Sequence, residues 1–528
     1  MKWFYGILGS ILISYSLAAQ AKTLLDKQYR DALHPSASFQ VQKNHYYQLS
    51  FSAVEPLSSA TLSHDSVTLA SSLLTTGGLF GERFWTANNN DTLTIKFNSD
   101  SENHITLQVD EFELKDDQRV NPKQVIQSPL LRQVQTDSNA STSYDESWFW
   151  QQVGAQGGTP LVEPIDNDQV LMTFLWRGDD KNVRLLGAPY EGHAYLSKLE
   201  NSTIWYQSYK VPNDTRLSYY LAPNSPQLKP AAGSRQAQRR AVLSRIQADP
   251  LNHGPLFASR GQSQPKASTL DLSHQDDTTA DVHQQPKGQI QRFVFDSEIL
   301  GNQHVIDLYT PNQAYPVNQY APLVIAFDGL EYQQQIPTPT ILDTLIDEGK
   351  IPPTRALFIH NLTPKSRAIE LPANPDFAKM LAKELLPWLC QQKVCPSAEN
   401  TLLLGSSFGG LAASYAALAY PTQFGKVLSL SGSYWWSAER FPNGFTDLIQ
   451  PQFTHSVQFY LTAGRLETAP ESDSILTTNR QFYHQLNTLG YSATLNEVAG
   501  GHDYFSWRSA IADGLIWLLS TDSQKNKL

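Results

Sequence analysis

Cysteine is nearly absent, with two residues in a chain of 528. Two thiols build neither a disulfide-stapled scaffold nor a cysteine-rich zinc site. Long apolar runs are missing after the N-terminus, and no later stretch approaches the roughly 20 residues that a membrane span requires. Positive charge is in deficit, 40 Lys and Arg against 50 Asp and Glu. The resulting net charge of −10 argues against non-specific binding to nucleic acid or to an anionic membrane surface. It also sets a condition: any anionic ligand must be met by a local basic site. Aromatic surface is plentiful, and 11 Trp with 23 Tyr exclude a disordered chain. The length is several times the usual domain size, so two or three domains are expected, each with its own core.

The first residues carry one Lys at position 2, an apolar run from Trp3 to about Leu17, and Ala19-Gln20-Ala21. A positive start, a short apolar segment and an A-x-A site form the pattern of a secretory signal peptide over residues 1–21, with an uncleaved anchor as the alternative. The expected location is the periplasm, with secretion the other outcome of export. There Cys390 and Cys395, separated by a four-residue loop, form a possible disulfide; two free thiols are the alternative.

Residues 22–118 contain YYQLSF, DTLTIKF and HITLQVDEFEL, which alternate apolar and polar residues as half-buried strands do. They predict an accessory β-sandwich. Residues 119–145 are polar and read as a linker. Residues 146–260 are strand-rich again, with VLMTFLWRG, TIWYQSYKV and RLSYYLAP, and predict an immunoglobulin-like sandwich. Residues 261–288 read as a second connection. From 289 to 528 the character changes. PLVIAF, RALFI, TLLLGSS, KVLSLSGS and VQFYLTAG are continuous apolar strands with amphipathic helices between them, which means a mainly parallel sheet flanked by helices.

Within that block Gly405-Ser406-Ser407-Phe408-Gly409 follows a strand and precedes the helix LAASYAALAY. G-x-S-x-G in this context is a nucleophile elbow of the α/β-hydrolase type, presenting Ser407 on a strained turn. A serine hydroxyl needs a base within reach. His502, in AGGHDYF after the last strand-like run, is the candidate, and His360 is second. The acid is expected after VQFYLTAG, where Glu467 lies nearest the strand end; Asp473, Glu471 and Asp503 remain alternatives. Backbone N–H groups must stabilise the developing oxyanion. Phe408 is expected to supply one, and Leu330 or Gly329, in the DG turn after PLVIAF, the other.

The run GSSFGGLAASYAALAYPTQFGKVLSLSGSYWW resembles the nucleophile region of enterochelin esterases. FDGLEY, RAIELPANPDF, AGRLET and GGHDYFSWR resemble the same family in the same order, and VLMTFLWRGD with the DPLN island resembles its N-terminal domain. The resemblance spans about 146–528, leaving the first sandwich as an addition. It implies hydrolysis of the ester bonds of a cyclic tri-serine catecholate siderophore, ferric or iron-free. It further implies no enzyme cofactor, since iron belongs to the substrate, and Ser407, His502 and Glu467 as nucleophile, base and acid. Arg367, heading R-x-x-E-L, would contact the anionic substrate, unless it pairs with Glu370. Trp435, beside Trp436, would wall the substrate's rings. Nucleic acid, and a membrane span after signal removal, are not expected. A secreted feruloyl or carbohydrate esterase is the nearest rival. A non-catalytic siderophore-binding protein is the rival of another class, opposed by intact Ser407, His502 and Gly329.

Overall fold

The computed structural model describes residues 21–520 except 65–66, 71–79, 141–145, 188, 190–193, 230–234, 258–264, 274–284, 362–363, 438–446, 448–456 and 470–472. All but the last residue of the expected signal peptide, and Glu471, lie outside these. Two compact units form. One comprises residues up to Val120 with Asp180–Asn182 and Ala222–Ile246; the second comprises Asn121–Asp179, Val183–Leu221 and Gln247 onward.

In the first unit two four-stranded antiparallel sheets face each other. Strand Asn103–Glu113 shows why: Ile105, Leu107 and Val109 are buried while Thr106 and Gln108 between them are exposed. Period-two alternation puts these three apolar side chains on one face. Those residues meet Tyr47, Leu49 and Phe51 and, from the opposing sheet, Phe39, Ile95 and Phe97. Helix Arg235–Leu243 also belongs to this unit, setting Ala237 and Ala241 against Tyr46 and Phe112.

The second unit begins with a smaller sandwich. Strands Leu161–Pro164, Gln169–Arg177, Ser197–Lys198 and Ile204–Pro212 form one sheet, and Val183–Gly187, Arg216–Pro223 and Ser268–Asp271 the other. Both expected linkers contain structure. Pro129–Ala140 is a helix whose Leu131 and Val134, three residues apart and so on one face, are fully buried with Phe149 and Ile204. Ser268–Asp271, inside the second, pairs antiparallel with Arg216–Tyr219. Polar neighbours hid both: QTDSNA dilutes the helix and the strand spans four residues. Asp249 of the DPLN island is buried, accepting from Thr159 Oγ1 (2.5 Å), Tyr219 OH (2.8 Å) and Leu251 N (2.9 Å), so that island knots the sandwich together.

The remaining chain forms an eight-stranded sheet in the spatial order 289–297, 302–310, 355–359, 323–326, 401–406, 426–430, 458–464, 492–498. The first two strands run antiparallel and the rest are parallel. Leu323, Ile325, Leu403 and Phe459 reach one helical layer, and Val324, Ala326, Leu402 and Leu428 the other. Burial on both faces explains the continuous apolar runs. Cys390 and Cys395 are joined as a disulfide at the end of helix Leu386–Gln391. Among the described residues no helix is long and apolar enough to cross a membrane.

Candidate active site

Strand Thr401–Ser406 ends at Ser407, where φ is +56° and ψ −121° before helix Phe408–Ala419 begins. This backbone is disfavoured for any residue with a Cβ and persists only where its surroundings enforce it. Here Ser407 N donates to Leu430 O at 3.0 Å, and Ser407 O accepts from Leu411 N and Ser433 N, both at 3.1 Å. A side chain on Gly405 would collide with the carbonyl of Gly409, which is why the turn is built from small residues. Ser406 is fully buried beneath it.

His502 lies between the last strand, Ser492–Val498, and helix Tyr504–Leu519. Its Nδ1 is 2.5 Å from Glu467 Oε1, and its ring rests edge-on against Trp507 at 5.0 Å. Glu467 is 2% exposed. Its Oε2 accepts from Gly464 N at 2.6 Å and from Ser431 Oγ at 2.7 Å. With Nδ1–H donated to a carboxylate, Nε2 keeps the lone pair and becomes the nitrogen able to take a proton. The other acids are placed differently. Asp473 is exposed. Asp503 is half-buried and turned away from His502, accepting from Phe505 N (3.0 Å), Ser506 N (3.1 Å), Ser218 Oγ (2.9 Å) and Ser506 Oγ (2.8 Å). Burial raises its pKa to about 6, despite those bonds. His360, the second base candidate, is held by Asp307 at 2.9 Å.

Of the three candidate N–H donors, two are available and one is spent. Gly329 N donates to Ile359 O at 2.8 Å, so its N–H serves the sheet. Its lack of a side chain is what matters, because a Cβ would sit 2.8 Å from Phe358 C and 2.9 Å from Ile359 N. Leu330 N and Phe408 N, each at the start of a helix, have no acceptor among the described residues. Unpaired N–H groups at helix starts favour negative charge.

Arg367 is not paired with Glu370, which accepts from Asn302 Nδ2 at 2.8 Å. Its guanidinium instead forks onto Asp328, Nε to Oδ1 at 2.6 Å and Nη2 to Oδ2 at 2.7 Å. Asp328 is 1% exposed, has φ +52° and immediately precedes Gly329. Asn361 Nδ2 also donates to it. The carboxylate pushes the Arg367 pKa further up although burial opposes this. Arg367 thus holds the turn that carries Leu330. Trp435 is 45% exposed and tilts against the Phe408 ring at 5.9 Å, while Trp436 packs on the core.

Sequence reasoning missed two serines in SGS. Ser431 receives Trp507 Nε1 at 2.9 Å while donating to Glu467, and Ser433 Oγ lies 3.2 Å from Ser407 Oγ. Their position directly after strand Lys426–Leu430 was the available signal. Among the described residues no group of three or more His, Cys, Asp or Glu side chains is arranged to hold a metal ion.

A strained serine, an imidazole oriented by a buried carboxylate and two unpaired N–H groups are the parts needed for acyl transfer. Residues 297–518 match the esterase family model, and 171–280 match the model described as enterochelin esterase, N-terminal. The iron(III) enterobactin esterase of Dickeya dadantii is 32% identical over 420 residues, covering 72% of this chain and 94% of that protein. That of Escherichia coli K12 is 30% identical over 399 residues, covering 70% and 95%. Among solved structures, the Shigella flexneri enterobactin esterase in the presence of enterobactin is 27% identical with a TM-score of 0.55, covering 72% of this chain and 99% of that one. The ferric enterobactin esterase of Salmonella typhimurium is 26% identical with the same TM-score, covering 71% and 98%. The unit that carries the Ser407 turn and the His502–Glu467 pair therefore places this chain in the enterochelin esterase family.

Proposed function

We propose that this chain is a serine esterase that opens the trilactone ring of a catecholate siderophore, loosening its hold on ferric iron. The observation that carries the reading is the His502–Glu467 pair, tied to the strained Ser407 turn through Ser431 on Glu467 and Ser433 beside Ser407, in a chain whose relatives are named for this substrate. Ser407 Oγ attacks a lactone carbonyl and its proton passes to His502 Nε2. Glu467 balances the imidazolium that forms. Phe408 N–H and Leu330 N–H receive the oxyanion. Collapse breaks the ester C–O bond, and His502 returns its proton to the departing serine alkoxide of the substrate. Water then attacks the acyl-enzyme, losing a proton to His502; the acyl C–Oγ bond breaks, His502 returns that proton to Ser407 Oγ, and the released acid ionises to a carboxylate.

The site of action proposed is the periplasm, supported by the leader pattern in residues 1–21 and by the Cys390–Cys395 bridge, a bond favoured in oxidising compartments. Chromatography of ferric and iron-free tri-catechol trilactone after incubation with wild type and Ser407→Ala tests the reaction. Ring-opened product from wild type alone is expected. Turnover of a feruloyl ester with the trilactone untouched would reject the siderophore, and an active Ser407→Ala would reject the nucleophile.

A further inference from the structure

The first unit contains a cleft of about 900 Å³ that no step of the hydrolysis uses. Six basic side chains line it against two acidic ones, in a chain where acids outnumber bases 50 to 40. The two acids are already engaged: Lys229 Nζ lies 3.1 Å from Glu113 and 3.9 Å from Asp116. Lys43, Arg83, Lys115 and Lys181 have no ion-pair partner among the described residues. Arg245 spends only its Nε, on Pro223 O at 3.3 Å. Like charges gathered without counter-ions repel one another, so their assembly here calls for an external anion.

The frame that holds them is fixed. Asn182, fully buried, donates to Gln118 O (2.8 Å) and Ser225 O (3.1 Å) and accepts from Ser225 N (3.0 Å). Gln118 Oε1 accepts from Gln227 N at 2.8 Å, and Lys229 N donates to Glu113 O at 2.9 Å. Aromatic surface completes the lining. Phe84 stacks on Tyr46 with ring centroids 6.3 Å apart and planes 12° from parallel, whereas the ring of Trp85, next on the edge strand Phe80–Thr86, turns to the opposite face and stacks on Tyr47 in the sandwich core. The volume falls within the range of small-molecule sites, about 300–1,000 Å³. Unpaired cations select for multiple negative charge, and ring faces select for flat aryl groups by stacking.

We propose that this cleft is a second ligand site, taking a multiply charged aryl anion of the catecholate class. The choice of catecholate rests on the proposed function. Two sources share that chemistry, the intact ferric trilactone and its released dihydroxybenzoyl-serine unit. The test uses the full chain carrying Ser407→Ala, which blocks turnover, in calorimetric titrations with each compound separately. Two sites per chain are expected for whichever compound the cleft accepts. Adding Lys43→Glu with Lys181→Glu, both exposed positions, is expected to weaken one site at least tenfold and leave the other unchanged. Arg83→Glu, made separately, is expected to do the same. With Ser407 intact, the charge-reversed chain is expected to keep wild-type kcat, which also certifies its fold. A single site for both compounds, or two sites indifferent to all three reversals, overturns the proposal. Reversal-sensitive binding in a wild-type chain that fails to open the trilactone sinks the proposed function and leaves the cleft standing.

Discussion

Replacing Arg367 by Lys separates two roles that a kinetic assay can tell apart. Arg367 makes two charge-assisted bonds to Asp328, at 2.6 and 2.7 Å, and only an Arg fork spans both oxygens of one carboxylate. A Lys keeps the charge but engages one oxygen. One of the two charge-assisted bonds is therefore lost, at about 1.5–3 kcal/mol. Asp328 stands two residues before Leu330, whose N–H is a proposed oxyanion donor. Deleting such a donor outright costs about 10²–10³ in kcat, and displacing it costs less. Arg367→Lys is therefore expected to lower kcat on the ferric trilactone about 10- to 100-fold with KM within about threefold, the signature of a transition-state interaction weakened. Steady-state rates over a range of substrate concentration give both constants. A KM raised tenfold with kcat unchanged would refute the positioning argument and return Arg367 to direct contact with the substrate. Arg367→Ala is the poorer probe, because leaving a buried carboxylate unpaired costs about 3–5 kcal/mol and confounds folding with catalysis.

Glu467→Gln keeps the shape but loses the charge opposite imidazolium and leaves the His502 tautomer unfixed; kcat is expected to fall about 10³- to 10⁴-fold, and a loss below tenfold would move the acid to another carboxylate. Gly329→Ala forces a Cβ to within 2.8–2.9 Å of the Phe358–Ile359 backbone; a kcat loss of about 10- to 100-fold is expected, and unchanged turnover would show that the turn gives without moving Leu330. Asp503 has a folded pKa raised to about 6, so the native chain binds its proton more tightly than the unfolded chain. That contribution is present below the unfolded value near 4 and is lost as pH rises to 6 and beyond, about 3 kcal/mol in all. Asp503→Asn is expected to flatten the fall in denaturant midpoint between pH 4.5 and 7, and parallel curves for the two proteins would contradict the assignment.

The strand–turn–helix around Ser407 was legible because all its requirements are local: small residues at fixed offsets between an apolar run and a helix. The parallel sheet was legible for a similar reason, since strands buried on both faces carry no polar alternation. The acid was legible only as a preference for Glu467, nearest the strand end, because Glu471 and Asp473 follow the same strand within seven residues; burial distinguishes Glu467 from the exposed Asp473. The sequence points Arg367 at the anionic substrate, or at Glu370 three residues away, whereas its partner Asp328 is 39 residues distant and brought near by the sheet. The helix at Pro129–Ala140 was missed because two buried side chains suffice to dock it, too few to register as a periodic stripe. Gly329 shows a subtler limit: the residue was found, but whether its N–H or its missing Cβ matters depends on Ile359, on a neighbouring strand.

The smaller sandwich of the second unit bears on catalysis without touching the reacting atoms. Leu466, next to Glu467, is buried in that sandwich's core with Met172, Trp205 and Tyr219. Arg465 binds Asp214 through two 2.6 Å contacts. On the other loop, Ser218 Oγ donates to Asp503, next to His502, and Arg216 N donates to Ala499 O at 2.8 Å. The loops that bear Glu467 and His502, the proposed acid and base, are thus each pinned, one residue from that side chain, to the same sandwich. The 2.5 Å Glu467–His502 contact depends on the separation of those loops, and a shift of about 1 Å in such a geometry costs on the order of 10² in rate. The sandwich is accordingly part of the device that sets imidazole orientation. That is a physical reason for the two family segments, 171–280 and 297–518, to occur together.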